Sequence, residues 1–253
     1  MSDGCRFGFV PLGIGGPFSQ RHYPVSLLLV LGEQFLLIDC PSPLPKMLYE
    51  ASVKSSIQTT LSDIHEVVLT HLHGDHSSGL ECLGFDARFN RGRTVKLWTL
   101  PEVVADLWEH RLSGSMAYDF NSGLGIVKRF RLEDFFDIQL LDPKRPSTIC
   151  GATVHVRPTH HPVPCFGLKV VFQDRSIGYS GDTIFDLDHI AFLADCDVIV
   201  HETGSGIHAS YEQLASLPRA IRDKMFLIHV GDGFVPDGPD PLPVLEEGRF
   251  YSI

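Results

Sequence analysis

The stretch Thr70-His71-Leu72-His73-Gly74-Asp75-His76 puts three histidines and an aspartate within six residues. It follows Glu66-Val67-Val68-Leu69-Thr70, a short apolar run of the kind that forms a buried strand. Alternate residues on a chain leaving a strand share a face, so His71 and His73 aim the same way, while Asp75 and His76 turn toward a neighbouring point. Imidazole and carboxylate together suit zinc, iron or manganese. Four residues do not complete two metal sites, so further ligands must come from later in the chain. His161 follows the apolar alternation of residues 153–157, Asp182 follows the run ending at Tyr179, and His229 ends the run 225–228. All three are expected at strand ends near one sheet edge.

The elements that must position these residues are short and alternate in type. Residues 26–31 and 35–39 predict a strand-turn-strand unit around Gly32-Glu33-Gln34, and residues 94–99 a further strand. Helices are expected over 43–53 and over 101–112, the second opened by Pro101. Residues 113–150, punctuated by Gly114, Gly123, Gly125, Pro143 and Pro146, read as less regular. The second half predicts strands at 153–157, 167–172, 176–179, 197–200 and 225–229, with helices over 186–194 and 210–220. No linker separates the halves, so residues 1–253 are expected to form one domain, with an extended tail over the surface from about residue 231. Strands interleaved with helices favour layered sheets with helices outside.

The net charge of −10 argues against a general binder of nucleic acid or of an acidic membrane, since phosphate backbones require basic surface. The opening Met1-Ser2-Asp3-Gly4-Cys5 lacks the basic start and apolar run of a secretory signal, and no apolar stretch is long enough to span a bilayer. Six scattered cysteines (5, 40, 82, 150, 165 and 196) show no metal-binding or redox spacing and read as reduced thiols. A cytoplasmic protein is expected. His22, His65, His110, His155, His189 and His201 read as surface or structural histidines.

The ordered set Asp39, His71-x-His73-x-Asp75-His76, His161, Asp182 and His229 resembles the metallo-β-lactamase superfamily over about residues 10–230. The resemblance implies an α+β fold, the four-layer αβ/βα sandwich, in which two mixed sheets pack together with helices on both outer faces. It implies that His71, His73 and His161 hold a first metal, that Asp75, His76 and His229 hold a second, and that Asp182 bridges them. Asp39 would orient the site from behind its ligands. His161-Pro162-Val163-Pro164-Cys165-Phe166-Gly167, Ser180-Gly181-Asp182-Thr183, Asp197-Val198-Ile199-Val200-His201-Glu202-Thr203-Gly204, His208-Ala209-Ser210 and the opening Pro11-Leu12-Gly13-Ile14-Gly15-Gly16 are similar to ribonuclease Z and its phosphodiesterase relatives. This register selects His161 over its neighbour His160, because adjacent residues of an extended chain point to opposite faces.

Two departures narrow the expectation. Asp182 stands only 21 residues after His161, leaving no room for the branch's tRNA-gripping arm, and Asp39-Cys40-Pro41-Ser42 replaces its usual Asp-Cys-Gly-Glu. No tRNA and no membrane partner is expected; a small anionic substrate is, and a homodimer is left open. Two divalent ions, with Asp75, Asp182 and a bridging hydroxide, leave a centre of about +1 that attracts an anionic oxygen. Such a centre clamps a phosphodiester and supplies hydroxide for in-line attack, which makes the expected protein a hydrolase of nucleotide-like or cyclic diesters. Zinc is favoured, with manganese or iron allowed. Asp75, His208 and Glu202 are the expected catalytic residues, His208 protonating the leaving oxygen and Glu202 orienting it. Arg88, Arg91 and Arg93, and Lys128-Arg129-Phe130-Arg131, read as solvated faces. The alternative in another class is a non-haem di-iron protein that binds or reduces oxygen or nitric oxide, a branch that often carries a glutamate at the position of His73. Lactam or thioester hydrolysis is a third reading, disfavoured by Glu202 and His208.

Overall fold

A computed structural model of the chain describes residues 6–121 and 125–253; residues 1–5, with Cys5, and the punctuating Gly123 lie outside the described residues. Two mixed sheets and a separate hairpin account for the strands. The first sheet has seven strands in the spatial order Tyr251–Ser252, Phe7–Gly13, Ser26–Leu31, Gln34–Ile38, Glu66–Val68, Val95–Thr99 and Phe136–Leu140. The second has six, in the order Met225–Ile228, Val198–Glu202, Arg175–Tyr179, Phe166–Phe172, Ala152–Pro158 and Ser147–Ile149. One apolar core lies between them, with Phe9, Leu29 and Leu36 of the first sheet and Val154, Leu168 and Ile177 of the second all buried in it.

Helices cover the outer faces. Leu44, Met47, Leu48 and Ala51 of the helix Leu44–Ser55 are buried against the first sheet. Ile190 and Leu193, from Leu187–Leu193, and Leu214, from Tyr211–Ala215, form a second cluster with Ile199, Met225 and Leu227 on the far side of the second sheet. With both faces covered, strands such as Ser-Leu-Leu-Leu-Val-Leu at 26–31 are buried along their whole length and read as continuous apolar runs. The fold is therefore α+β, an αβ/βα sandwich of four layers. Among the described residues no helix is long and apolar enough to cross a membrane.

Several expected elements differ in detail. The helix expected over 210–220 is two, Tyr211–Ala215 and Arg219–Arg222, because Pro218 offers no N–H to a helix and disfavours helical geometry at Leu217. The helix from Pro101 widens into a π-helical turn at Leu107–Leu112. The region 113–150 contains a hairpin, Tyr118–Asn121 with Ile126–Arg129, and the strand Phe136–Leu140 that completes the first sheet. The tail is extended but not merely draped. Leu227 N donates to Pro243 O at 2.8 Å, Leu245 N donates to Leu227 O at 3.0 Å, and Tyr251–Ser252 adds an edge strand beside Phe7–Gly13. That first strand was hidden by its glycines. A Cβ on Gly8 would lie 2.4 Å from Tyr251 O and one on Gly13 2.1 Å from Pro24 O, so both are glycine for close backbone approach within a sheet, not for a turn.

His189 ties a helix to the second sheet. It is fully buried, and its Nε2–H donates to Ser180 O at 3.0 Å, in a space left open by Gly167, whose Cβ would lie 2.6 Å from the ring. Burial, reinforced by His201, lowers its pKa from 6.5 to about 4. Above pH 6.5 the ring is neutral whether folded or unfolded; below it the unfolded chain binds a proton that the folded one refuses, so stability falls as pH drops from 6.5 toward 4. The loss from this one group reaches about 3 kcal/mol. His189→Gln keeps a donor for Ser180 O and should flatten the acid limb of a plot of unfolding free energy against pH; identical slopes in the two proteins would refute this account.

Candidate metal centre

The candidate ligands and His208 lie beyond the C-terminal ends of strands, on one edge of the sandwich, and Glu202 is the last residue of its strand. In the first sheet Gln34–Ile38, Glu66–Val68 and Val95–Thr99 run parallel, and Asp39 and the His71–His76 loop leave the first two of them. In the second, Arg175–Tyr179, Val198–Glu202 and Met225–Ile228 run parallel and release Asp182, His208 and His229. Ala152–Pro158 points the same way, because it is antiparallel to a strand that is itself antiparallel to Arg175–Tyr179, and it releases His161. Three residues here have positive φ: Asp39 (58°), Gly181 (58°) and His229 (63°). Gly181 has no alternative, since a Cβ there would meet Phe166 O at 2.4 Å. At Asp39 and His229 a strained backbone of about 1–3 kcal/mol each turns the side chain into the site.

Asp39 organises the back of the cluster. It is fully buried; its Oδ1 accepts from Thr70 N at 2.8 Å, Thr70 Oγ1 donates to the carboxylate at 2.9 Å, and Oδ2 lies 2.8 Å from His76 Nδ1. Thr70 Oγ1 also lies 3.0 Å from His71 Nδ1. Because the single hydroxyl hydrogen goes to the carboxylate, the hydroxyl accepts from His71 Nδ1–H, while His76 Nδ1–H donates to Asp39. Both imidazoles then present a bare Nε2 to the same space. Neither His71 Nε2 nor His76 Nε2 finds a partner, and Asp182 Oδ1 is equally orphaned. Buried polar atoms are rarely left so, and here three of them converge.

Their spacing is that of metal-ligand atoms. His71, His73, His161 and Asp182 form one group and Asp75, His76 and His229 another, each with its ligand atoms within 4.8 Å of one another. Four ligands at 2.0–2.1 Å on a tetrahedron stand about 3.4 Å apart. His161 Nε2 lies 3.0 Å from His73 Nδ1, and Asp182 Oδ2 lies 3.7 Å from His71 Nε2 and 3.8 Å from His161 Nε2. In the other group Asp182 Oδ1 is 3.4 Å from His76 Nε2, and Asp75 Oδ2 is 3.6 Å from His76 Nε2 and 3.3 Å from His229 Nε2. Asp182 thus faces both groups. His160, by contrast, is an exposed side chain 3.9 Å from Asp186.

The electrostatics also call for cations. Burial holds His71 well below the usual imidazole range and brings His161 down to about 4, so both are neutral donors of a lone pair. Burial works the same way on His76, yet the Asp182 and Asp39 carboxylates outweigh it and push that ring well up. A site that draws a proton onto a buried imidazole between two carboxylates accommodates a metal ion at the same atom. Burial likewise opposes the charge on Asp182, but His76 and His229 hold its carboxyl well below the usual range. The donor set fits two divalent ions.

Beside the two groups stands a third pair. His208 Nδ1 lies 2.5 Å from Glu202 Oε2, and Glu202 Oε1 accepts from Thr183 N. Burial, with Asp182 nearby, pushes the Glu202 carboxyl well up, and burial with His229 lowers His208. His208 lines a cavity of about 670 Å³ together with His73, Asp75, Asp182 and His229. None of the expected basic clusters lines it. Arg88 and Arg91 face Asp134 and Asp86, Arg93 donates to Ser62 O and Ile64 O, and Lys128 covers the Phe130 ring. The role of Thr70 is not evident from the sequence. Its position before His71 was the one available signal, because a strand-end hydroxyl is otherwise indistinguishable from a polar boundary residue.

Asp182→Ala should remove both ions at once, whereas His161→Ala should empty chiefly one site, as read by elemental analysis of the purified variants. An Asp182→Ala protein that retains two tightly held metals per chain would refute the shared position.

The family described as anti-Pycsar protein Apyc1 matches residues 7–240. The Apyc1 protein of Paenibacillus sp. (strain J14) is 32% identical over 231 residues, covering 87% of this chain and 88% of its own. Among solved structures, unliganded yeast PDE1 aligns with a TM-score of 0.72 at 14% identity over 98% of this chain and all of the other. The short form of human tRNase Z aligns with a TM-score of 0.67 at 18% identity, over 97% and 99%. The metallo-β-lactamase fold protein YhfI from Bacillus subtilis aligns with a TM-score of 0.70 at 18% identity, over 91% of this chain and 88% of the other, and these structural likenesses give the fold as that of the metallo-β-lactamases. The chain belongs to the anti-Pycsar protein Apyc1 family, a family of hydrolases with the metallo-β-lactamase fold.

Proposed function

We propose that the protein is a metal-dependent phosphodiesterase that uses two divalent ions, zinc by preference, to cleave small nucleotide-like or cyclic phosphodiesters. The observation that carries this reading is the pairing of two ligand groups around one carboxylate, Asp182, with a His208–Glu202 dyad on the same cavity wall. His71, His73 and His161 would hold one ion, Asp75, His76 and His229 the other, with Asp182 between. Bound there, two cations would polarise the phosphoryl oxygens and supply a nucleophile at neutral pH.

The chain's own residues do the rest. Asp39 and Thr70 hold His76 and His71 in the tautomers that leave both Nε2 atoms bare. Asp75, anchored between His76 and His229, is placed to accept a hydrogen bond from the attacking water. His208 turns Nδ1 to Glu202, so its Nε2–H is the group left to donate to the departing oxygen, and the Glu202 carboxylate stabilises the imidazolium that does so. The interval between His161 and Asp182 is filled by the short loop 162–165 and the tight pair Phe166–Phe172 and Arg175–Tyr179. That leaves no arm for a tRNA there and favours a small substrate. The first ligand group contains no glutamate among the described residues, so nothing favours the reading as an oxygen- or nitric oxide-reducing di-iron protein.

The protein should hydrolyse bis(p-nitrophenyl) phosphate or a nucleoside cyclic phosphate faster than a phosphomonoester, in a direct comparison of kcat/KM. A preference for lactams or glutathione thioesters would overturn the reading. His208→Ala should retain its metal but lose about 100- to 1,000-fold in kcat on alkoxide-leaving diesters. The loss should shrink with p-nitrophenolate, which leaves without a proton. Equal losses on both substrates would remove His208 from the role of acid, and loss of metal would make it a ligand.

A further inference from the structure

The connection between the strands Phe7–Gly13 and Ser26–Leu31 is a strap fastened to the candidate centre. Gly16 N donates to Val230 O at 3.1 Å, directly after His229, and a Cβ on Gly16 would lie 3.3 Å from the His229 ring. Asp232 fixes the next turn: its carboxylate accepts from Ser19 Oγ at 2.5 Å, Gln20 N at 2.8 Å and Arg21 N at 3.2 Å. Ser19 Oγ in turn accepts from His22 N at 3.0 Å. The bonds of this loop are made by backbone, by the Ser19–Asp232 pair and by Glu247, which accepts from Tyr23 N at 2.7 Å. None of them needs Phe18.

Yet Phe18 stands on this strap with 92% of its surface exposed, on the wall of the cavity that also holds His73, Asp75, Asp182 and His208. Ile207, partly exposed on the loop that carries His208, lines the same space. A phenyl ring kept in water on a pinned loop forgoes a large apolar contact, and a ligand that covers it pays little to order it. The Ser19 hydroxyl, the polar group nearest in sequence on that wall, is already committed to Asp232. The wall therefore offers a flat apolar face and not a set of directed hydrogen bonds, which suits the π-face of a heteroaromatic ring.

We propose that Phe18 is a specificity-determining contact on which the heteroaromatic base of a nucleotide substrate stacks, and that Asp232 positions it by pinning the strap. This rests on the phosphodiesterase reading, in which the phosphate end occupies the histidine–aspartate cluster. The test compares wild type, Phe18→Ala and Phe18→Tyr on a nucleoside 3′,5′-cyclic phosphate and on the cyclic phosphate of base-free 1-O-methylribose. Phe18→Ala should raise KM for the base-bearing diester roughly 5- to 150-fold with much less change in kcat, and Phe18→Tyr should restore it. The effect should shrink on the base-free diester. An unchanged KM for the cyclic nucleotide, or the same loss on both substrates, overturns the proposal. A second arm needs no turnover: the added fluorescence of Phe18→Trp, relative to wild type, should be quenched on titration with a nucleoside 5′-monophosphate, and absence of quenching overturns the contact. Failure of the wild type to cleave either diester would count against the phosphodiesterase reading, while the quenching measurement still decides the stacking.

Discussion

A fully buried carboxylate, Asp39, is the point on which the candidate centre turns. It sits behind the cluster, satisfied by Thr70 and His76, and with Thr70 it determines which nitrogen of two imidazoles carries a proton. Burying a charge is costly unless it is hydrogen-bonded and paired. Here the backbone N–H and hydroxyl of Thr70, the His76 ring and, at 3.4 Å, the Tyr179 hydroxyl share that task. The consequence is directional. Once His71 and His76 are held by their Nδ1 atoms, their Nε2 atoms can only face forward, toward Asp182. The left-handed backbone at Asp39 is the local strain that accompanies this arrangement.

The two sheets divide the work. The first supplies Asp39 and a dense ligand loop, packed so that Gly79 approaches Pro41 O too closely for any side chain. The second supplies single residues from four separate strand ends. Bringing these within a few ångströms requires parallel strands to end at a common level, which the buried apolar ladders between them enforce. Glycines then do local work at that edge. Gly181 lets the chain turn beneath Phe166 to present Asp182, and Gly167 leaves room for the His189 ring that ties the outer helix to the same turn. The cavity is therefore built from loops on a rigid edge, as open sheet folds commonly build their sites.

The sequence carried the local information in full. Three histidines and an aspartate in six residues, immediately after an apolar run, require no tertiary context to suggest a metal, because loop and strand geometry alone bring them together. The buried strands were legible from their continuous apolar runs, and His161 could be told from His160 by register and face. Less legible were the elements whose local signals point the wrong way. Gly8 and Gly13 carry no strand signal of their own yet serve close approach inside a sheet, and the edge strand Phe136–Leu140 lay in a region dominated by glycine and proline. The helix expected over 210–220 overran Pro218, where the chain divides into two short helices.

What only the tertiary structure decided is whatever depends on residues far apart in sequence. It made Thr70 the link between Asp39 and His71, and turned the arginines of 88–93 toward carboxylates and carbonyls away from the cavity. It also joined Ser19 to Asp232, 213 positions away, and so placed Phe18 over the site. Composition and spacing specify which groups are able to act, since that is a property of residue type. Which of them meet, and with which proton on which nitrogen, is set by the packing of two sheets against one core, and a linear pattern does not encode those distances.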